Sequence, residues 1–425
     1  MSLPPWFEYP ETPSGRDQTA TVIGGGLAGA SVAAALARRG WDVTLIERNA
    51  GLSSEASGNP SGVVMPAVTR KLTPASRFSG AAFQYALDQF QQLQAHCEAP
   101  IYHPVGVIQV NDSAPEFLDV LEKHHRVLHA RVLDLEQFQS VTGLGAGRRA
   151  LYFPTAGWAS PVRLCQALID SQPGRITRLF NKEVIHLQRR SDTWSVFDRE
   201  EELTETSVVV IANGMEVNRY AQTAVIPVTP ARGQISFIST TAFEKPVSNV
   251  ICSNRGYVIP DRQETMSIGA TYERDTTNTE VTQYSHRENL RNLESLGVID
   301  TTYSDVVLGG RAAIRATTPD RLPILGGVPK FAEFQAAYSD LHHGRPQEGY
   351  PPPDYHDGLF VAGGFGSRGI THCPYSGEVL ARMICGELRD AERNLLGLLH
   401  PGRFMVRALK KVAPAPVEED LGAAI

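Results

Sequence analysis

The sequence contains no apolar run of the roughly 20 residues that a membrane-spanning helix needs, which excludes a membrane-spanning protein. Its five cysteines are scattered and form no C-x-x-C motif, which favours reduced thiols. The segment 1–15 is rich in proline and acidic residues, unlike a secretory signal. Together these absences predict a cytoplasmic protein.

Basic residues are not in excess, because 40 Lys and Arg stand against 46 Asp and Glu and give a net charge of −6. This balance excludes a generic, strongly basic nucleic-acid binder but permits a local basic patch. The sequence also lacks an H-E-x-x-H motif and a G-x-S-x-G motif after a strand. We therefore expect no metal centre and no serine hydrolase triad.

What the sequence does contain is a glycine-rich turn near its start. Gly24, Gly26 and Gly29 fit G-x-G-x-x-G between an apolar strand and an alanine-rich helix, and Glu47 ends the next strand. In such a unit the first glycine permits the tight turn, the second lets the backbone approach a pyrophosphate, and the third lets the helix pack closely. The acidic side chain accepts hydrogen bonds from a ribose. The pattern therefore predicts a dinucleotide site at a helix N-terminus.

A second strand–glycine turn–helix segment lies near the other end, where strand 359–363 leads into Gly364, Gly366 and Gly369. Two such turns favour FAD over NAD, because a buried flavin needs its ring held as well as its adenosine half. A helix N-terminus here would also stabilise the anionic reduced flavin. The alternative is an ordinary turn between a strand and a helix.

The order of the other segments predicts an α/β fold with two domains. Alternating strands between 225 and 272 lack an intervening helix, which favours an antiparallel sheet. We expect a discontinuous FAD-binding Rossmann-like domain with a parallel sheet, and an antiparallel-sheet α+β substrate domain. The predicted boundaries are 17–100, 150–218 and 355–400 for the first domain, 101–149 and 219–345 for the second, and 401–425 for a basic tail.

Individual elements can be predicted as well. Apolar spacing predicts helices over about 73–96, 115–128, 161–169, 280–296 and 371–386. Three strands are expected at 176–187, 194–198 and 203–211. Residues 1–17 are predicted to be a loose lead-in and 330–357 a long loop.

Residues following strands supply the other predicted cofactor contacts. The polar loop after Glu47 is small enough for close approach to a flavin or pyrophosphate, and the strand ending at Ile211 runs into small residues. The full set of predicted cofactor-binding residues is Gly24, Gly26, Gly29, Glu47, Arg48, Ser57, Gly58, Asn59, Ala212, Asn213, Gly214, Gly364, Gly366, Ser367, Arg368, Gly369 and Ile370.

These motifs together resemble the D-amino-acid-oxidase-like FAD oxidoreductases, which include glycine and sarcosine oxidases. Further support comes from 230–234 (PARGQ), 269–273 (GATYE) and 315–320 (RATTPD). Within the family the chain is most similar to members that modify the wobble uridine of tRNA, through 56–59 (ASGN), 320–326 (DRLPILG), 366–369 (GSRG) and 401–404 (PGRF).

The resemblance implies FAD as cofactor and tRNA as partner. It implies oxidation of 5-carboxymethylaminomethyluridine to 5-aminomethyluridine with release of glyoxylate. Because the FAD motif begins near residue 20, we expect a stand-alone oxidoreductase, so a methyltransferase would be a separate partner. Two alternatives stay open: an oxidase of glycine, sarcosine or another small amine, and a flavin-containing binding subunit without turnover.

The resemblance also implies three candidate catalytic residues. Arg315 matches a family arginine that binds substrate carboxylate, for which the guanidinium fork is suited. Its alternative role is an ion pair with Asp320. Arg368 is the second candidate, unless it is a surface arginine, and Tyr257 either donates a hydrogen bond to substrate or fills the core.

A basic stripe near the end is the local signal for nucleic acid. Arg403, Arg407 and Lys410 would share one helix face, with Lys411 beside it, and could contact tRNA phosphates. The alternative is a solvated charged face. The oligomeric state, and whether a residue such as Cys373 links covalently to the flavin, stay open.

Overall fold

A computed structural model describes residues 3–9, 17–110, 115–142, 148–243, 246–261, 264–295 and 306–411. Its strands are β1 (Thr19–Ile23), β2 (Asp42–Glu47), β3 (Gly62–Val64), β4 (Tyr102–His103), β5 (Val107–Val110), β6 (Arg131–Leu133), β7 (Ala150–Phe153), β8 (Gly157–Ala159), β9 (Ile176–Phe180), β10 (His186–Arg190), β11 (Thr193–Phe197), β12 (Glu202–Thr206), β13 (Val208–Ile211), β14 (Thr229–Ser239), β15 (Val250–Cys252), β16 (Tyr257–Ile259), β17 (Thr265–Gly269), β18 (Glu273–Arg274), β19 (Val307–Thr317), β20 (Ile324–Pro329) and β21 (Tyr355–Gly363).

The helices are α1 (Leu27–Ala37), α2 (Pro74–Gln94), α3 (Pro115–His125), α4 (Leu135–Thr142), α5 (Pro161–Asp170), α6 (Gln283–Ser295), α7 (Phe331–Ala337), α8 (Gly369–Ile384), α9 (Asp390–Leu399) and α10 (Arg403–Leu409). None of the helices in these ranges is long and apolar enough to cross a membrane.

A six-stranded sheet in the order β20-β21-β13-β1-β2-β9 forms the centre of one half of the molecule. Its inner pairs are parallel, and β20 adds an antiparallel edge. Helix α1 packs between α8 and α5, and its alanines from Ala33 to Ala37 are buried. Small side chains permit this close packing: a Cβ on Gly377 of α8 would lie 2.7 Å from the Ser31 carbonyl carbon of α1.

A nine-stranded sheet forms the other half, in the order β18-β14-β17-β16-β15-β5-β7-β6 with β19 paired to β14. Apart from the parallel β5–β15 pair, its neighbours are antiparallel. The predicted α/β class with one parallel and one antiparallel sheet is therefore confirmed. Two small antiparallel sheets, β10-β11-β12 and β3-β8-β4, complete the fold.

Several predicted segments differ from the structure. The three strands predicted between 176 and 211 are five, because tight turns divide them and β10, β11 and β12 form a separate sheet. The predicted long loop 330–357 contains α7, whose Phe334 is buried. In the predicted loose lead-in Trp6 is buried against Tyr338 and Tyr350, while 10–16 lie outside the described residues.

Two strands also cross the predicted domain boundaries. Strand β20 pairs with β21 in the parallel sheet, although 219–345 was assigned to the substrate domain. Strand β7 pairs with β5 in the nine-stranded sheet, although 150–218 was assigned to the FAD-binding domain. We still propose a division into two domains, but with β20 in the FAD-binding domain and β7 in the substrate domain.

The C-terminal helix α10 is held by a buried ion pair. Arg403 is 2% exposed and its Nη2 lies 2.9 Å from Asp320 Oδ1, while Arg407 Nη1 lies 2.6 Å from Asp320 Oδ2. The two guanidinium groups overcome the cost of burial and hold the pKa of Asp320 at about 2. The carboxylate is therefore more stable in the folded protein than in the unfolded chain.

The pH dependence of this ion pair gives a first prediction. Because the folded pKa of Asp320 is depressed, its contribution to stability is present above about pH 4 and is lost as the pH falls towards 2. Asp320→Asn should lower the free energy of unfolding by about 3 kcal/mol at pH 7, since it leaves Arg403 buried without a counter-charge. In thermal unfolding, the difference in stability between wild type and Asp320→Asn should become smaller as the pH is lowered from 7 to 3.

Asp42→Asn is the matched control, because Asp42 pairs with Arg175 at an exposed position. We expect a change within about 1 kcal/mol at all pH values. A wild-type advantage over Asp320→Asn that stays constant from pH 7 to pH 3 would contradict this account of the ion pair.

Candidate active site

One cavity of about 660 Å³ lies between the two halves of the molecule. It is lined by both glycine-rich turns, by the loop after β2, by the end of β13, by the β15–β16 turn and by β19. The predicted cofactor turns and the predicted substrate residues therefore meet at one place.

The first glycine turn is built as the sequence predicts. Gly24 has φ +111°, and a Cβ on it would lie 2.6 Å from the Ala212 carbonyl oxygen. A Cβ on Gly29 would lie 1.8 Å from the Gly24 carbonyl oxygen, so α1 packs on the strand through this glycine. Gly26 precedes α1 and lines the cavity. Gly26 itself therefore places no side chain between the N-terminus of α1 and the cavity.

Glu47 is buried and shares its carboxylate between the turn and the next loop. Its Oε2 accepts from Gly25 N at 2.7 Å, and its Oε1 accepts from Asn49 N at 2.8 Å and Asn49 Nδ2 at 2.7 Å. A carboxylate has about four lone-pair positions, so one or more stay available towards the cavity. Arg48 also lines the cavity and pairs with Glu55, its Nη2 lying 2.6 Å from Glu55 Oε1.

The loop after β2 contributes in more than one way. Ser57 Oγ accepts from Leu27 N at 3.0 Å, so Ser57 caps α1 while lining the cavity. Asn59 lines the cavity and its Oδ1 accepts from Arg311 Nη1 at 2.9 Å. Gly58 lies beneath the loop, where a Cβ would be 2.5 Å from Arg311 Nη2 and from the Ser53 carbonyl oxygen. Its glycine is needed for packing of the loop.

The segment after β13 lies next to the first glycine turn and adds Ala212, Asn213 and Gly214 to the cavity lining. Asn213 Nδ2 donates to Tyr220 Oη at 3.1 Å, but Asn213 Oδ1 is buried with no hydrogen-bond partner within the described ranges. An orphaned polar atom beside a glycine cradle and a helix N-terminus fits a dinucleotide with polar groups.

The second glycine turn brings its residues to the same cavity. Gly364 and Gly366 have φ +70° and +55°, and helix α8 begins at Gly369, two residues before the predicted start. The turn lines the cavity through Gly364, Gly366, Ser367, Arg368, Gly369 and Ile370. Arg368 is exposed on the cavity side, so it is available to a ligand there.

Arg315 on β19 is a partly buried cation that lines the cavity. Its guanidinium lies over Gly233 of the paired strand, where a Cβ would be 2.2 Å from Nη1, and Nη1 donates to the Thr271 carbonyl oxygen at 3.4 Å. Burial lowers the pKa of Arg315, which nevertheless stays charged at neutral pH. Among the described residues it has no carboxylate partner, and Asp320, its predicted alternative partner, is bound by Arg403 and Arg407 instead.

Tyr257 on β16 lies beside this cation and lines the cavity. Burial raises the pKa of Tyr257, while Arg315 lowers it, so its hydroxyl is protonated at neutral pH. A protonated hydroxyl can donate a hydrogen bond to a ligand. The structure therefore brings together the three predicted catalytic residues, Arg315, Arg368 and Tyr257.

The prediction for the basic tail needs a correction. Arg403 is buried and paired with Asp320, so it cannot contact tRNA phosphates. Arg407 is half exposed and shares Asp320, and the Lys410 Nζ lies 4.6 Å from the Trp6 ring centroid. Arg403 is lost from the stripe because it anchors α10, whereas Arg407, Lys410 and Lys411 are exposed and their contact with tRNA is untested. Residues 412–425 of the predicted tail lie outside the described residues.

Two functional candidates were not predicted from the sequence. Arg311 donates to the Ser54 and Glu55 carbonyl oxygens and to Asn59, so it ties β19 to the cofactor loop. Tyr272 lines the cavity beside Arg315, whose Cζ lies 5.9 Å from its ring centroid. The spacing of Arg311 and Arg315 was a usable signal, because residues i and i+4 on a strand share a face. For the tyrosine the sequence carried no comparable signal.

The cysteines carry no disulfide, since all five are free. Cys373 lines the cavity and is buried, and burial raises the pKa of its thiol well above the ordinary value. Its thiol is therefore protonated at neutral pH, and covalent linkage to a flavin is untested.

Fold and cavity together define a flavin-dependent oxidoreductase, and comparison with known proteins agrees. Residues 19–383 match the model of the FAD dependent oxidoreductase family, and the chain belongs to that family. Its cofactor is accordingly FAD, and the cavity residues described above are suited to hold it.

Among curated relatives, the chain is 35% identical over 413 residues to the tRNA 5-methylaminomethyl-2-thiouridine biosynthesis bifunctional protein MnmC of Pseudomonas fluorescens (strain Pf0-1). The match covers 95% of this chain and 62% of that protein. The protein of the same name from Pseudomonas aeruginosa (strain UCBPP-PA14) is 34% identical, with the same coverage. The chain thus spans about three fifths of the length of these relatives.

Solved structures show the same fold at lower identity. Glycine oxidase from Geobacillus kaustophilus superposes with a TM-score of 0.69 and 20% identity, over 88% of this chain and 96% of that one. Iminodiacetate oxidase from Chelativorans sp. BNC1 gives a TM-score of 0.68 and 21% identity, over 87% and 96%.

Proposed function

We propose that this protein oxidises the carbon–nitrogen bond of a carboxymethylamino group, and that its substrate is 5-carboxymethylaminomethyluridine at the wobble position of tRNA. The observation that carries the proposal is the partly buried guanidinium of Arg315, which lines the FAD cavity without a carboxylate partner in the described part of the chain. An unpaired, partly buried cation of this kind calls for an anionic ligand group.

In the proposed reaction a hydride leaves the methylene carbon between nitrogen and carboxylate, and the nitrogen loses its proton. The resulting C=N bond adds one water and splits into a primary amine and glyoxylate. FAD, when bound, supplies the two-electron acceptor for the hydride, with dioxygen as the final oxidant.

The side chains of the cavity have positioning roles in this proposal. Arg315 holds the substrate carboxylate as a bidentate partner, and Arg368 is a second cation within the same cavity. The protonated Tyr257 hydroxyl donates a hydrogen bond to the substrate. Fixing the carboxylate orients the methylene hydrogen, which raises the rate by restricting the substrate to reactive geometries.

The tRNA part of the proposal draws on the relatives' name, which refers to biosynthesis of a modified uridine in tRNA. Because those relatives are bifunctional, we also propose that a methyltransferase acts on the product, and that the enzyme works in the cytoplasm. We still predict that Arg407, Lys410 and Lys411 contact tRNA. Arg403 is no longer predicted to do so.

Nucleoside mass spectrometry tests this proposal. Purified FAD-loaded protein, incubated with tRNA containing 5-carboxymethylaminomethyluridine, should convert it to 5-aminomethyluridine and release one glyoxylate per nucleoside. The same tRNA with an unmodified wobble uridine is the control and should yield no glyoxylate.

Two other outcomes would favour the alternatives. Unchanged nucleosides together with peroxide from glycine or sarcosine would indicate a small-amine oxidase. Oxidised flavin that persists with every amine and tRNA tried would indicate a binding subunit without turnover.

A further inference from the structure

An exposed aromatic ring stands at the mouth of the cavity. Tyr272 lines the cavity and yet is 45% exposed. It precedes β18, an edge strand of the nine-stranded sheet. A large apolar ring that is exposed at the rim of a cleft is typical of a ligand contact.

An inner and an outer guanidinium flank this ring at the same distance. The Arg315 Cζ and the Arg274 Cζ each lie 5.9 Å from the Tyr272 ring centroid. Arg315 is the inner cation assigned to the carboxylate, whereas Arg274 is exposed and has no acidic partner within the described ranges. Tyr272 therefore lies next to one cation that lines the cavity and to one unpaired cation that is exposed to solvent.

The neighbouring segment holds the ring's position. Arg232 is buried and donates to Glu273, to Ser285 Oγ and to the Asn278 carbonyl oxygen, which ties the residue after Tyr272 to the start of α6. Thr271, the residue before it, is bound to Gln234. The tyrosine backbone is thus fixed on both sides, so its exposed ring is presented by a rigid support.

The dimensions fit a carboxymethylaminomethyl group attached to a planar ring. Four single bonds join the carboxylate carbon to the pyrimidine ring in this substrate, which is a span of roughly 5 Å. The Arg315 Cζ lies 5.9 Å from the Tyr272 centroid. A bidentate carboxylate places its carbon roughly 4 Å from the Arg315 Cζ, so the pyrimidine lies up to roughly 9 Å from that atom and can reach a position beside the tyrosine ring. Glycine and sarcosine carry no ring that could stack there.

We propose that Tyr272 is the platform on which the pyrimidine ring of the substrate nucleoside stacks, and that Arg274 contacts a neighbouring backbone phosphate. This inference rests on the proposed tRNA substrate and names the residue that distinguishes it from a small amine. Unstacked bases in RNA are commonly bound in this way, by aromatic side chains assisted by arginine.

The test compares Tyr272→Ala with Tyr272→Phe on two substrates. Loss of one base–aromatic stack weakens binding by roughly 5- to 150-fold. Tyr272→Ala should raise KM for tRNA, and Kd for a labelled anticodon stem-loop in fluorescence anisotropy, within that range. Its effect on kcat/KM for sarcosine, used as a minimal carboxymethylamine, should be at least about fivefold smaller than its effect on kcat/KM for tRNA. Tyr272→Phe keeps the ring and should behave like wild type with both substrates.

Tyr284→Ala is the matched control, because Tyr284 is 68% exposed on the adjoining α6 but does not line the cavity. It should leave KM and Kd for RNA unchanged. FAD absorbance verifies that each variant is loaded and folded.

The results separate this inference from the proposed function. If wild type converts tRNA and Tyr272→Ala keeps the wild-type KM and Kd, the platform is wrong while the proposed function stands. Equal losses on tRNA and sarcosine would also overturn it, because Tyr272 would then act through Arg315. If wild type oxidises sarcosine but neither binds nor converts tRNA, the proposed function fails and the platform fails with it.

Discussion

Arg315→Ala should keep the yellow FAD spectrum and lose roughly 10²- to 10³-fold in kcat/KM for the carboxymethylamino substrate. The reason is that Arg315 is a partly buried cation without a carboxylate partner in the described part of the chain, so its removal leaves the substrate carboxylate without a counter-charge. Steady-state kinetics with tRNA or sarcosine, together with the absorbance ratio of flavin to protein, would measure both effects.

Two variants make this experiment decisive. Arg315→Lys keeps the charge but not the fork geometry and should show an intermediate loss. Arg131→Ala removes an exposed arginine from β6, at the far edge of the same sheet, and should be indistinguishable from wild type. Full turnover in Arg315→Ala with a large loss in Arg368→Ala would transfer the anchoring role to Arg368.

Gly29→Ala should have the largest effect on the cofactor. A Cβ there would lie 1.8 Å from the Gly24 carbonyl oxygen and 3.0 Å from the Gly24 carbonyl carbon, and these backbone atoms cannot move aside as a flexible side chain could. We expect a loss of at least about 3 kcal/mol in the free energy of unfolding, because α1 must move away from β1. The same movement displaces the helix N-terminus from the cavity, so the purified variant should contain little FAD.

Gly51→Ala is the matched control for this prediction. It lies between the same β2 strand and the cofactor loop, and a Cβ there would meet nothing within 4 Å. Thermal unfolding of the apo proteins and the FAD content after purification should separate the two variants clearly. A Gly29→Ala protein with normal stability and full FAD content would show that the turn tolerates a side chain here.

The sequence predicted best those features that depend on neighbouring residues, such as glycine turns and helix caps. The turn of Gly24 and Gly29 could be recognised because its backbone geometry tolerates little besides glycine, so glycine must occupy these positions in the sequence. The same reasoning found the turn at Gly364 and Gly366, whose φ values are positive. Helix α5 began at Pro161 as predicted, because Ser160 accepts from Arg163 N as a cap.

Predictions about charged side chains were less successful, because the role of a charge depends on its partner. The stripe Arg403, Arg407 and Lys410 has the same spacing whether it faces solvent or a buried carboxylate. Its partner, Asp320, lies 83 residues before Arg403. The alternative ion pair of Arg315 with Asp320 was wrong for the same reason.

The sequence by itself determined the dinucleotide turn, the two kinds of sheet and the family, since these follow from local backbone restrictions and from hydrophobic periodicity. The tertiary structure decided which arginines are available to a ligand. It buried Arg403 against Asp320, joined Arg311 to the cofactor loop, and left Arg315 in the cavity beside an exposed Tyr272. The physical reason is that electrostatic roles depend on distances between residues far apart in the chain, which folding alone sets.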